Sequence, residues 1–424
     1  MQIFKGDLIF TPTPQGFKTL KGGYIAVSKG QVEGVYQKLP ALFSNFKIKN
    51  FGRRLIMPGF VDLHVHASQF YQAGVGLDQE LLPWLEHYIY PLEERFADPE
   101  FAREAYARFV EELISHGTLR ACIFATVHRE STALLFDLLA SRGIGAYVGK
   151  VNMDCHAPPG LQEVTAVSLQ ETEELIKRYG GHPLVKPIIT PRFAPSTTPE
   201  LLAGLGSLAR KYHLPVQSHL AENKAEVAWV QELFPDQPTY AHVYHHYGLL
   251  GPTPALMAHA VHLTEQEKTL LTKNSAAWLV HCPEANINLK SGMMPVRELL
   301  ERGINLGLGS DIGAGHSIAL YRVMVRAIQL SKIRNILEPP RAPLTTAEVF
   351  YLGTKGGGSF FGKVGSFEPG YAFDAIVVED EALITAGFTL EERLQKFIYT
   401  GGADNIVARF VKGKRVDCGP GDCY

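Results

Sequence analysis

From about residue 56 to residue 310, short apolar runs alternate with stretches of ten or more residues whose apolar positions recur at helical spacing. This is the signature of repeated βα units around a parallel sheet. Eight runs read as strands: Ile56 to His66, Thr118 to Ala125, Gly145 to Met153, Leu184 to Pro191, Pro215 to His219, Leu256 to His259, Ala277 to His281 and Asn305 to Ser310. Helical periodicity is clearest at Pro99 to His116, Thr132 to Arg142, Pro199 to Tyr212 and Glu222 to Phe234. Eight such units predict an α/β fold with a closed (β/α)8 TIM-type barrel, an open doubly wound sheet being the runner-up. Both chain ends differ from this pattern and read as all-β. Gln2 to Phe10, Gly23 to Ser28 and Gln31 to Tyr36 are short strands at one end. Phe373 to Val378 and an Ile406 to Val416 hairpin turning through Gly413 lie at the other.

The chain of 424 residues is 46% apolar and 20% charged, a folded globular balance. With 41 Lys plus Arg against 43 Asp plus Glu, nothing in its net charge of -2 favours nucleic acid or an anionic membrane, so a small molecule is the expected partner. Cys122, Cys155, Cys282, Cys418 and Cys423 are odd in number, widely spread and without zinc-knuckle spacing, which argues for a reducing compartment. The first residues lack the apolar core of a secretory peptide, and nowhere do about 18 apolar residues run together. A cytoplasmic location is expected.

Barrel enzymes carry their chemistry at the C-terminal ends of the strands, and here most of those ends are ionisable. His64 and His66 stand two apart on one strand, so both imidazoles project from one face, which Asp62 shares. His219 and Asp311 close later strands, and a closed barrel brings them to the same rim. Three imidazoles and a carboxylate suit zinc, with iron(II) second. Glu222, three residues past His219, is the candidate proton shuttle if a helix starts there, and His259 the candidate partner of the attacking oxygen. The rival reading of Glu222 is an acid favoured by a helix N-terminus. Arg192 taken alone reads equally as an ion-pair partner, and Asp311 as a turn former before Gly313. His128, His156, His242, His245 and His246 are read as having no role, and His281 as pocket wall.

These stretches resemble the amidohydrolase superfamily, and within it the branch that deaminates guanine. The likeness covers nearly the whole chain and is carried by PGFVDLHVHASQF from Pro58, FATVH from Phe124, VGKVNMD from Val148, KPIITPRF from Lys186, QSHLAENKAEV from Gln217, LMAHAVHLTEQE from Leu256, HCPEANINL from His281 and LGLGSDIGAG from Leu306. The resemblance implies one zinc per subunit on His64, His66, His219 and Asp311, with Glu222, His259 and Asp311 as the catalytic groups. It further implies that Gln69 and Arg192 hydrogen-bond the purine and that Phe193 is an apolar or stacking wall, with Trp84 and Phe124 further candidates for that pocket. Lys186 lies at the start of its strand, away from the place of a bridging carboxylated lysine, which favours a single metal. The ends are expected to join into one composite β-sandwich domain, 1–56 with 366–424, beside a catalytic barrel of 57–365. A homodimer is expected as well. One departure stands out: Glu284 and Ala285 follow His-Cys-Pro where the family commonly has Asn and Ser, placing a carboxyl where a ligand edge would pass.

The implied reaction is hydrolytic deamination of guanine to xanthine and ammonia, as in purine catabolism. The rivals are a purine or triazine aminohydrolase taking adenine, ammeline or a chlorotriazine, and a metal-dependent binding protein without turnover. A P-loop is excluded because Val364 stands where Ser or Thr is needed after Lys363. The Pro-Cys-x-x-Cys signature of cytidine-type deaminases is absent.

Overall fold

The structure is a computed structural model, and it describes residues 1–338 and 341–416. Eight parallel strands form the barrel: β1 (Phe60–His66), β2 (Thr118–Phe124), β3 (Gly145–Gly149), β4 (Val185–Pro187), β5 (Val216–Leu220), β6 (Ala255–His259), β7 (Ala277–His281) and β8 (Asn305–Leu308). They pair as two four-stranded halves, β1 to β4 and β5 to β8. Backbone hydrogen bonds close both seams. Gln217 donates to the Ile189 carbonyl at 2.8 Å on one side, and Asp311 donates to the His64 carbonyl at 2.9 Å on the other. The Asp62 carboxylate staples the second seam, accepting from the Ser310 amide at 3.1 Å and from the Ser310 hydroxyl. Asp62 therefore joins the first strand to the last; it is no ligand candidate.

Local chemistry sets the helix starts. Pro199–Tyr212 begins with proline after Thr198, whose hydroxyl accepts from the Leu201 amide at 3.2 Å. Lys224–Leu233 begins two residues later than its periodicity suggested, because Asn223 and Glu226 form a capping box at its start. Glu222 consequently lies outside the helix, in the turn leaving β5, and the helix-terminus reading of it does not hold.

The run expected as one strand from Ile56 breaks at Gly59. Ile48–Pro58 belongs to a second sheet, and β1 starts at Phe60. A side chain at Gly59 would meet Leu119 at 2.4 Å, so only glycine lets the chain pass between the two sheets there. The second sheet has seven strands in the order Lys414–Arg415, Ile406–Val411, Ala375–Val378, Ile48–Pro58, Gln2–Thr13, Gly16–Ser28 and Gln31–Tyr36. It thus draws on both chain ends. Val32 donates to Tyr371 and Phe373 to Gly30, so the outer strand folds back on the segment before Ala375 around a core that includes Phe4, Phe10, Phe373 and Phe410. The C-terminal end is not all-β: Leu390–Thr400 is a helix burying Leu394, Phe397 and Ile398. No described helix is long and apolar enough to cross a membrane. Cys122, Cys155 and Cys282 are free thiols, while Cys418 and Cys423 lie outside the described residues.

Candidate active site

The barrel rim gathers the imidazoles and the carboxylate from opposite sides of the sheet. His66 Nε2 lies 3.2 Å from His64 Nε2 and 3.1 Å from His219 Nε2. Asp311 Oδ1 lies 3.3 Å from His64 Nε2 and 3.5 Å from His66 Nε2. Donor atoms held about 2.0–2.1 Å from one tetrahedral cation stand about 3.4 Å apart, so the cluster has the spacing of a ligand set. Burial pushes His64, His66 and His219 well below the usual imidazole range, which keeps them neutral, the form that binds a metal. His219 is aimed by its Nδ1, 2.5 Å from the Arg192 carbonyl. Cys282 Sγ is close to His64 and Asp311, but burial raises its thiol well above the ordinary range and it packs as an apolar group.

Two of these residues are held in the left-handed backbone region, His259 at φ 74° and Asp311 at φ 49°. For residues with a side chain that conformation is costly, and here it turns both groups inward at the strand ends. His259 Nδ1 is 2.9 Å from Asn286 Oδ1, which fixes the ring. Its Nε2 has no hydrogen-bond partner among the described residues and lies 3.4 Å from Glu222 Oε2 and 3.9 Å from Asp311 Oδ2. Glu222 is buried, its carboxyl pushed well above the ordinary range first by burial and then by the Asp311 charge; Ser291 donates to its Oε1 at 3.3 Å. Glu226 holds the turn in place, with Oε2 accepting from the amides of Glu222 at 2.8 Å and Asn223 at 3.1 Å.

His66, His219, Glu222, His259 and Asp311 face a small cavity that is also lined by Gln69, Trp84, Arg192, Phe193 and Leu289. Trp84 donates its indole N–H to the Val75 carbonyl and offers its apolar face. Phe124 is placed elsewhere. Its ring centroid lies 4.9 Å from His64, 4.6 Å from His66 and 4.9 Å from His219, behind the imidazoles instead of on the cavity. His281, expected as pocket wall, lines a separate cavity with Met293 and Met294. Glu284 is likewise off the site, buried with Oε2 at 3.6 Å from His316 Nδ1. Lys186 is exposed. Glu93, Glu226 and Asn286 were not singled out from the sequence; the spacing of Asn223 and Glu226 as a capping box was the one available signal.

A metal-ligand cluster, a buried acid and a cavity at the C-terminal rim of a barrel define a metal-dependent hydrolase, and the chain belongs to the amidohydrolase family, whose model matches residues 55–416. Its relatives sharpen this. It is 36% identical to the guanine deaminase of Dictyostelium discoideum over 98% of each chain, and 38% identical to that of Homo sapiens over 85% of this chain and 82% of the human protein. The structure of the C. acetobutylicum guanine deaminase with bound guanine in the active site superposes with a TM-score of 0.97 at 49% identity, covering 98% of this chain and 100% of that one. Members of this family depend on a metal, and the neutral imidazoles with Asp311 supply a fitting donor set.

Proposed function

We infer that the protein hydrolyses guanine to xanthine and ammonia. The observation that carries the reading is the convergence of His66, His219, Asp311 and Glu222 on one cavity, with His64 in contact with His66 and Asp311 behind it, in a chain that aligns over 98% of its length with a guanine deaminase. The proposed cation is zinc, one per subunit, on the three imidazoles and Asp311; iron(II) satisfies the same donors. Such an ion supplies Lewis acidity and makes water nucleophilic near neutral pH.

The chain's own groups do the rest. Gln69 and Arg192 hydrogen-bond the purine, Phe193 and Trp84 flank it, and Leu81, Leu85 and Leu289 exclude bulk water. Glu222 takes one proton from the attacking water through Oε2 and delivers it to N3, where it stays; it then takes the second proton from the hydroxyl now on C2 and delivers it to the departing amine. Burial raises the Glu222 carboxyl above its ordinary range, which makes the carboxylate a stronger base toward water and lets it hold the proton between the two transfers. The water oxygen becomes the xanthine carbonyl and the amine leaves as ammonia. His259, fixed by Asn286, hydrogen-bonds the attacking oxygen through Nε2.

The proposal includes a cytoplasmic homodimer with the purine and water as its only small-molecule partners, and a division into a barrel of 57–365 and a β-domain of 1–56 with 366–424. Light scattering after gel filtration tests the dimer. Metal-loaded protein is expected to consume guanine with equal yields of xanthine and ammonia. Inertness toward guanine alongside turnover of adenine, ammeline or a chlorotriazine overturns the assignment.

A further inference from the structure

Beneath the purine-facing side of the cavity lies a carboxylate that belongs to neither the ligand cluster nor the proton path. Glu93 sits on the short helix Tyr90–Glu94 and is 4% exposed. Its Oε1 accepts from Gln69 Nε2 at 3.0 Å and from the Ser68 hydroxyl at 3.3 Å, and its Oε2 accepts from Arg192 Nη1. The Arg192 guanidinium also lies 5.2 Å from the centre of the Tyr90 ring.

We propose that Glu93 is a specificity-determining positioning residue, which fixes the hydrogen-bond polarity of the cavity by holding Gln69 and Arg192 side by side on its two oxygens. The inference rests on the guanine reading above. An ionised carboxylate only accepts, so Gln69 must turn its NH2 toward Glu93 and its Oε1 toward the cavity. No protein donor reaches that Oε1 among the described residues, and Gly313 leaves room for it, since a side chain there would lie 2.6 Å away. Arg192 only donates, and its remaining N–H groups have no protein acceptor among the described residues. The cavity therefore presents an acceptor beside a donor, both locked. That pair is complementary to the lactam edge of an oxopurine, N1–H beside C6=O. It is mismatched to a 6-aminopurine, which offers a bare ring nitrogen beside an amine. A site whose buried polar groups are fixed rejects the wrong partner strongly, because each mismatch strands a group without a hydrogen bond.

The test compares guanine with 2,6-diaminopurine, which carries the same C2 amine and lacks the lactam. In Glu93→Gln the new amide can donate to Gln69, so the Gln69 side chain is free to turn over. The expected result is a rise in KM for guanine larger than the fall in kcat, with the guanine to 2,6-diaminopurine ratio of kcat/KM compressed about tenfold or more and metal content unchanged. Should that variant fail to fold, Glu93→Asp keeps the acceptor but withdraws it by one methylene from Gln69 and Arg192, and a smaller compression in the same direction is expected. A ratio equal to that of the parent in a folded variant, with both substrates slowed alike, overturns the inference and leaves the guanine reading standing. A parent that does not deaminate guanine overturns both.

Discussion

Buried charge is arranged in opposite ways at the two ends of this molecule. Where the terminal helix meets the β-sheet, four of the five donors of Arg393 are used. Its Nε and Nη2 reach the two Asp380 oxygens at 2.7 Å each, Nη1 reaches Asp7 at 2.5 Å, and Nη2 also reaches the Arg53 carbonyl. At the barrel rim, three imidazoles and two carboxyls crowd together with His259 Nε2 unpartnered and two backbones in the left-handed region. The first arrangement pairs each buried carboxylate with the guanidinium and holds the fold. The second leaves a buried imidazole nitrogen without a hydrogen-bond partner among the described residues and keeps two backbones in a costly conformation, and such incompleteness, more than burial itself, marks a candidate working site.

The contrast can be broken in both directions. Glu222→Gln should retain the metal by elemental analysis and lose about 100- to 10,000-fold in ammonia release; an unchanged rate would remove Glu222 from the proton path. Arg393→Ala strands Asp7 and Asp380, and denaturant melts should show a loss of about 3–5 kcal/mol with kcat of the folded fraction unaltered. Asn286→Ala frees the His259 ring and should lower kcat/KM about 10- to 100-fold, again without loss of stability on the Arg393 scale. The smallest effect belongs to His116, packed near Tyr321 away from the rim, whose imidazole burial holds below its ordinary value of 6.5. Folding favours its neutral form, so this contribution is present above that value and declines as the pH falls toward the lowered one. Tm measured through that window should fall less steeply in His116→Gln.

How much of this was legible depended on the range of the interaction. The barrel strands and His64, His66, His219, His259 and Asp311 at or near their ends announce themselves because most apolar runs stop near an ionisable side chain, and Glu222 is found by its spacing from His219. Glu93 does not, since its meaning lies in Arg192, a partner distant in sequence on another element, and no local periodicity encodes that contact. Phe124 also ends a strand, yet alternation turned it toward the imidazoles. The helix Leu390–Thr400 was missed although Thr389 and Glu392 form a capping box and the spacing of Leu390, Leu394, Phe397 and Ile398 is helical. The β-rich flavour of its neighbours masked it. Gly59 was passed over for a similar reason, because two strands in separate sheets look like one uninterrupted apolar run until the close approach of Leu119 is known.

The seam between β1 and β8 carries one more implication. Ser310 and Asp311 fasten to the very strand that bears His64 and His66, so closing the wall also brings Asp311 to the proposed ligand set. A nascent polypeptide released from the ribosome short of that point would carry three of the four proposed ligands in an unclosed cylinder.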